Sequence, residues 1–390
     1  MPRRFSLKAR LLSLLLSAAM VLMFLPASAF AADDKQVRVG DAWLGSAMRS
    51  VTCGEGTAAY DPDTKTLTLT NATINHDYNA AIWNTVEGLT IELVGENSIN
   101  SGNQSGILSM QGCGLLTLTG EEGSLNITAA DGHAIYANTG SLLVKDTTVK
   151  VSSDILAVYA DLGIEISGST FESSTTDGNA IWTPGDLKIE NSNVTTSNDN
   201  KNDDGYPAIW SDGDITINGG QLKSTCIGSF ALGAAGTLSI TGCNVENKGA
   251  SALYSQGEMI LTGGSITAEA DYNAIISERA MTITNATIKA TAQYCNALRA
   301  SDVMKIDGGR VEATTSGDEE YAIHMEPMAD GSNNGRMEIG GGVELYAKGY
   351  SGIYVGDEAT IEDAHIVIDS DEWSIDMPVK FAEGYDIALA

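Results

Sequence analysis

Thirteen times along this 390-residue chain, two apolar residues one position apart are followed, two positions on, by Gly, Asn or Asp. The series starts at Leu67-x-Leu69 with Asn71 and passes through Leu116-x-Leu118 with Gly120, Ile215-x-Ile217 with Gly219 and Met281-x-Ile283 with Asn285. It ends at Ala359-x-Ile361 with Asp363. Alternating apolar residues mark a strand with one buried face, because successive side chains point to opposite sides. Gly, Asn and Asp accept a left-handed backbone at the least steric cost. The same strand and corner repeated this often imply one structural unit stacked on itself.

Two further landmarks complete the unit. A small residue followed by a branched apolar one recurs at Ile82, Ile107, Ile135, Val158, Ile181, Ile209, Leu232, Leu253, Ile275, Leu298, Ile323 and Ile353, spaced by 21 to 30 residues. A third apolar position follows most corners, as at Ile74, Val149, Phe171, Val194, Leu222 and Ile288. Each repeat thus holds three short strands and leaves no room for the helix of a βαβ unit. This predicts an all-β, single-domain parallel β-helix of about twelve coils, each strand pairing with its equivalent one coil later. At about 4.8 Å per coil the rod is roughly 55 Å long. Propeller repeats run longer, and leucine-rich repeats need a helical return.

The flanks read differently. Residues 1–31 combine Arg3, Arg4, Lys8 and Arg10, an apolar run from Leu11 to Leu25 and small residues at Ala27, Ala29 and Ala31, the pattern of a cleaved export signal. Residues 32–66 are expected to cap the first coil, 67–368 to form the helix, and 369–390, with Trp373, Pro378 and Phe381 outside the repeat, to cap the far end or begin a further region. Without the leader the chain carries 18 basic and 51 acidic side chains, a formal charge of −33. That surface repels nucleic acid, anionic membranes and, unless a divalent cation bridges the two, acidic polysaccharides, and leaves neutral glycans and cations as partners. The five cysteines sit at unrelated places in the repeat without metal-ligand spacing, and are read as buried space-fillers.

The opening segment Tyr60-Asp61-Pro62-Asp63-Thr64-Lys65-Thr66-Leu67-Thr68-Leu69, with the repeats that follow to residue 368, resembles the right-handed parallel β-helices of the pectate-lyase-like superfamily. In style it is most similar to secreted bacterial β-helices of the carbohydrate-binding kind. The resemblance implies a secreted or cell-surface protein with an extracellular polysaccharide or glycan as its partner. The same superfold also hosts lyases, hydrolases, adhesins and inert stalks.

The repeat supplies a register in which residues distant in sequence become neighbours. The position after each branched landmark faces solvent and carries Trp83, Leu108, Tyr136, Tyr159, Trp182, Trp210, Gly233, Tyr254, Ile276, Arg299, His324 and Tyr354. Tyr136, Tyr159, Trp182 and Trp210 fall on consecutive coils and form a candidate sugar platform, since Trp and Tyr pair an apolar face with a polar handle. The competing reading is a self-stacking ladder that only stiffens the rod. A second row, Asp131, Asp154 and Asp177, with Asp271 further on, would bring carboxylates about 4.8 Å apart, a repulsion that a cation relieves. An insertion beside it, with Asn200, Asn202 and Asp204, imitates the opening of a calcium loop, although Ser211 stands where the bidentate Glu belongs. Asp131, Asp154, Asp177, Asn200, Asn202 and Asp204 are the candidate Ca2+ ligands; otherwise each Asp caps its own turn.

No catalytic constellation emerges. The resemblance would supply, for calcium-dependent lyases, an Arg or Lys base beside the metal and, for galacturonase-type hydrolases, clustered Asp with His and Arg-x-Lys. Here His76, His133, His324 and His365 are scattered, and only Arg299 and His324 fall on adjacent coils. The expected function is therefore glycan binding without turnover, with a lyase or hydrolase on the same face, or a structural stalk, as alternatives.

Overall fold

The computed structural model describes residues 36–201, 205–326, 335–376, 379–381 and 384–389. The expected leader, and Asn202 and Asp204, lie outside the described residues. The chain is an all-β solenoid of about 13 turns of parallel stacked strands, with no helix among the described residues.

Each coil contributes to three stacks. The first begins with Thr66–Thr70 and Thr90–Val94, the second with Thr73–Asn75 and Glu96–Asn100, the third with Ile82–Asn84 and Ile107–Ser109. Apolar residues stand directly over one another, Leu67 on Ile91 and Ile82 on Ile107 on Ile135, so every coil buries its inward face against the next. The second and third stacks merge where Gln221–Ala234 and Asn244–Ser255 run unbroken around the corner between them.

The corner between the first and second stacks is where the sequence pattern acts. All thirteen corner residues have positive φ, among them Asn71 at 48°, Gly95 at 68°, Asp146 at 50°, Asn285 at 50° and Asp363 at 44°. Two residues separate the strands at most of these corners, as with Asn191 and Ser192 between Asp186–Glu190 and Asn193–Asn198. At Gly220 a Cβ would lie 2.2 Å from the carbonyl oxygen of Ser192 on the preceding coil, so close stacking of corners itself demands glycine there. The second corner is loose by contrast, from no break at all to the ten residues between Asn198 and Ile209.

The interior is not uniform. Its second-stack column runs Ile74, Ile99, Ile127 and Val151, changes to Ser173, Thr196, Ser224 and Asn247, and continues as Ala268, Ala290, Ala313 and Ala347. The buried hydroxyls are paired: Ser173 and Ser224 donate to the carbonyls of Ala180 and Ala231 at 2.7 Å, tying the second stack to the start of the third.

At the N-terminal end the pairing becomes antiparallel. Val37–Val39 and Ala42–Leu44 form a hairpin whose first strand pairs with Ile82–Asn84. Ser50–Cys53 and Gly56–Asp61 form another, joined to Thr66–Thr70 through the Tyr60–Lys65 turn. These hairpins cover the edges of the first-stack and third-stack strands of the first coil. At the other end, Ile375–Asp376, Val379–Phe381 and Tyr385–Leu389 add in parallel to all three stacks, carrying the pairing past residue 368. The landmark series that predicts twelve coils stops at Ile353. Ser374-Ile375 repeats it once more on a two-residue strand, too short to show as period-two alternation.

Candidate functional site

The solvent-side row of the third stack is in register along its whole length. Trp83, Leu108, Tyr136, Tyr159, Trp182, Trp210, Gly233, Tyr254, Ile276, Arg299, His324 and Tyr354 pair successively. Its aromatic members are half-buried rather than exposed, because each ring shelters its neighbours.

Ring geometry divides the row. Tyr136 and Tyr159 have centroids 4.9 Å apart and planes 16° apart. Two rings cannot lie side by side in one plane at that separation, so they are stacked with their faces along the rod and their edges toward solvent. His133 extends this stack at 4.8 Å and 15°, its Nδ1 within hydrogen-bond distance of the Leu156 carbonyl at 3.0 Å. Trp182 departs from the column: its ring lies 5.0 Å from that of Tyr159 but tilted by 59°. Trp210 then lies across the space above Gly233, where a Cβ would meet its ring at 2.6 Å, and reaches Phe230 and Tyr254 at 6.4 and 6.1 Å in a second stack.

Carboxylates flank the row two residues further along the chain. The Tyr159 hydroxyl donates to Asp161 Oδ1 at 2.6 Å, and the Trp210 indole N–H donates to Asp212 Oδ1 at 2.7 Å. Burial, followed by the Asp161 hydrogen bond, pushes the Tyr159 phenol strongly up, so it stays a donor. Near the N-terminus Arg38 is held between Trp43 and Trp83, 6.0 and 4.8 Å from their ring centroids. Arg38, Trp43, His133 and Phe230 join the row from outside the landmark position. The antiparallel pairing that delivers the first two leaves no mark on the repeat.

The other half of the row is polar. Arg299 donates to Glu326 at 2.6 Å and faces Glu278 at 3.6 Å. Burial opposes its charge, but the two carboxylates prevail and its pKa rises. For Glu326 burial acts upward, and the Arg299 hydrogen bond and charge bring the net shift downward. His324 Nδ1 lies 3.1 Å from Asn296 Oδ1, and burial lowers its pKa. Tyr321 packs on His324 and Tyr354 and donates to Asp376 at 3.0 Å.

Asp131, Asp154 and Asp177 are exposed at the corner leading into the third stack. The Asp154 and Asp177 amides donate to Ala130 and Asp154 carbonyls at 2.8 Å, which fixes these loops on successive coils. Thr176 Oγ1 donates to Asp154 Oδ1 at 3.2 Å, and Asn200 Nδ2 to Asp177 Oδ1 at 2.8 Å. Among the described residues no group of three or more His, Cys, Asp or Glu side chains is arranged to hold a metal. All five cysteines are free thiols, four of them buried, with pKa values raised by burial.

No curated protein and no solved structure matches the chain. Residues 240–377 match the family described as carbohydrate-binding domain-containing protein, a segment that holds Tyr254, Arg299, His324 and Tyr354 of the row but not Tyr136, Tyr159, Trp182 and Trp210. With the parallel solenoid, that match supports carbohydrate binding, and a glycan partner, for this fold.

Proposed function

We propose that this is an extracellular β-solenoid that binds carbohydrate without turning it over, holding a neutral glycan along the third stack over Tyr136, Tyr159, Trp182 and Trp210. The observation that carries the reading is Trp182. Its ring leaves the stacked column, and its indole N–H has no hydrogen-bond partner among the described residues. An inclined indole with a free donor, bordered by Asp161 and Asp212, offers a face for sugar C–H groups and acceptors for sugar hydroxyls. The acidic surface favours neutral ligands. Arg299 is engaged by two carboxylates, and the histidines stand on separate coils, which supports binding without catalysis. The stacked Tyr136–Tyr159 pair favours a purely structural ladder as the second reading.

A glycan array separates the two. Wild type is expected to bind neutral oligosaccharides, and Trp182→Ala/Trp210→Ala, with its fold checked by circular dichroism, to lose about tenfold in affinity or more. No binding by wild type, or an unchanged variant, overturns the platform. Calcium at the corner of Asp131, Asp154, Asp177 and Asn200 belongs to the same proposal. Ca2+ should then raise the melting temperature and a chelator reverse it, because a ligand specific to the native state stabilises it. Indifference to both removes the metal from the reading.

A further inference from the structure

We propose a second glycan-binding site, a cleft at the corner between the second and third stacks, with Tyr272 and Tyr294 adjoining its lining residues Asp271 and Gln293. It rests on the carbohydrate reading of the protein but on different residues. The cleft comes from chain path. Gln221–Ala234 and Asn244–Ser255 turn this corner without a loop, whereas the following coils carry loops between Ala270 and Ile275 and between Ala292 and Leu298. The unlooped coils leave a recess of 380 Å³ beside the looped ones, within the usual range for small-ligand sites. Gly249 lets the backbones approach closely beside it: a Cβ there would meet the carbonyl oxygens of Ser251 and Ser229 at 2.7 and 2.9 Å.

The lining combines apolar and hydroxyl-binding groups. Ile227 is half-exposed at one wall, and Glu269, Asp271 and Gln293 provide acceptors and an amide at the other. Lys248 is already paired with Glu269 at 3.3 Å, so the recess attracts no anion. Tyr272 and Tyr294 directly follow Asp271 and Gln293. Their amides donate to Ala250 and Asp271 carbonyls at 2.8 Å, which places the tyrosines on successive coils. The rings stand 6.4 Å apart, inclined by 52°, and are 46% and 57% exposed, far more open than the third-stack row. Gln293 Nε2 donates to the Tyr294 hydroxyl at 2.9 Å and steadies that ring. Exposed tyrosine faces beside carboxylate and amide groups fit a neutral pyranose, with C–H faces on the rings and hydroxyls on Asp271 and Gln293. Gly249 to Tyr294 also lie inside the segment that matches the carbohydrate-binding family.

The test titrates cellohexaose, xylohexaose and mannohexaose into wild type, Tyr272→Ala/Tyr294→Ala, Tyr272→Phe/Tyr294→Phe and Trp182→Ala/Trp210→Ala. Expected is about tenfold weaker binding of at least one oligosaccharide by the Tyr→Ala pair, with the Tyr→Phe pair within about threefold of wild type. The tryptophan variant should keep a residual affinity that disappears when the Tyr→Ala changes are added. Binding by wild type that the Tyr→Ala pair leaves unchanged overturns the cleft and spares the third-stack proposal. Absence of binding by wild type overturns both.

Discussion

From His133 to Trp210 the third stack meets the crowding of one side chain per coil with rings; from Arg299 to Tyr354 it meets the same crowding with charge and hydrogen bonds. The backbone is alike in both stretches, a short strand of three to five residues paired in parallel with its neighbours. Parallel in-register stacking sets like positions about 4.8 Å apart, a distance that suits ring on ring and punishes charge on charge. The polar half escapes the penalty by composition. Arg299 is followed by Ile276 on one side and His324 on the other, and its countercharges come from the neighbouring column at Glu278 and Glu326. His324 is held toward its neutral form by burial, so two cations do not meet. Register alone therefore assigns neighbours, and side-chain chemistry decides whether a row is a ladder, a platform or an ion-pair cluster.

The largest effect that would sharpen this contrast is expected from Arg299→Ala. The guanidinium is only 24% exposed, and its removal leaves Glu278 and Glu326 without their partner, a loss of about 2 kcal/mol after allowance for solvent screening. Urea unfolding measures it, and a loss below a few tenths would show that the polar half gains nothing from its charges. Gly233→Ala is expected to cost about 1–2 kcal/mol by pushing Trp210 from its seat, with a shift in tryptophan fluorescence. An unchanged spectrum would mean that the two aromatic stacks are not linked through that ring. Tyr159→Phe keeps the stack and removes the Asp161 hydrogen bond, for about 1 kcal/mol by thermal melting. Stability equal to wild type would assign the whole effect to ring stacking.

The smallest effect is the pH dependence. The lowered pKa values of His133 and His324 mean that folding favours the neutral imidazole in both halves. That stability is present above the unfolded value near 6.5 and is lost as pH falls through the folded values. In the polar half Glu326, lowered from 4.5, contributes a further loss at more acid pH. His324→Gln should flatten the decline between pH 6.5 and the onset of carboxylate titration. A variant with an undiminished slope would place the dependence elsewhere.

The solenoid, its corners and the complete register of the third-stack row were legible in the sequence because each rests on a period: two along the strand, and the coil length between strands. Ring orientation was not. Tyr136 and Trp182 occupy equivalent positions, yet one is stacked and the other tilted, which depends on neighbours and not on spacing. Arg38 and Trp43 reach the row through antiparallel strands of three residues, too short for periodicity to register. Tyr272 and Tyr294 sit in loops, where no alternation marks a side chain as facing anything. The half-burial of the row was likewise hidden, since alternation distinguishes inward from outward but not open from sheltered.

The contrast between the first and second corners bears on how such a rod can change. Eleven of the thirteen first corners use two residues, and a residue added beside Asn191 that the turn did not absorb would shift the following strand by one position and turn its buried side chains outward. The second corner already ranges from no loop to ten residues while both flanking stacks keep their pairing. Chain length thus varies more at the second corner than at the first, where one to four residues join the strands. New loops, and the recognition they bring, have a ready place to accumulate there without disturbing the rows of the third stack.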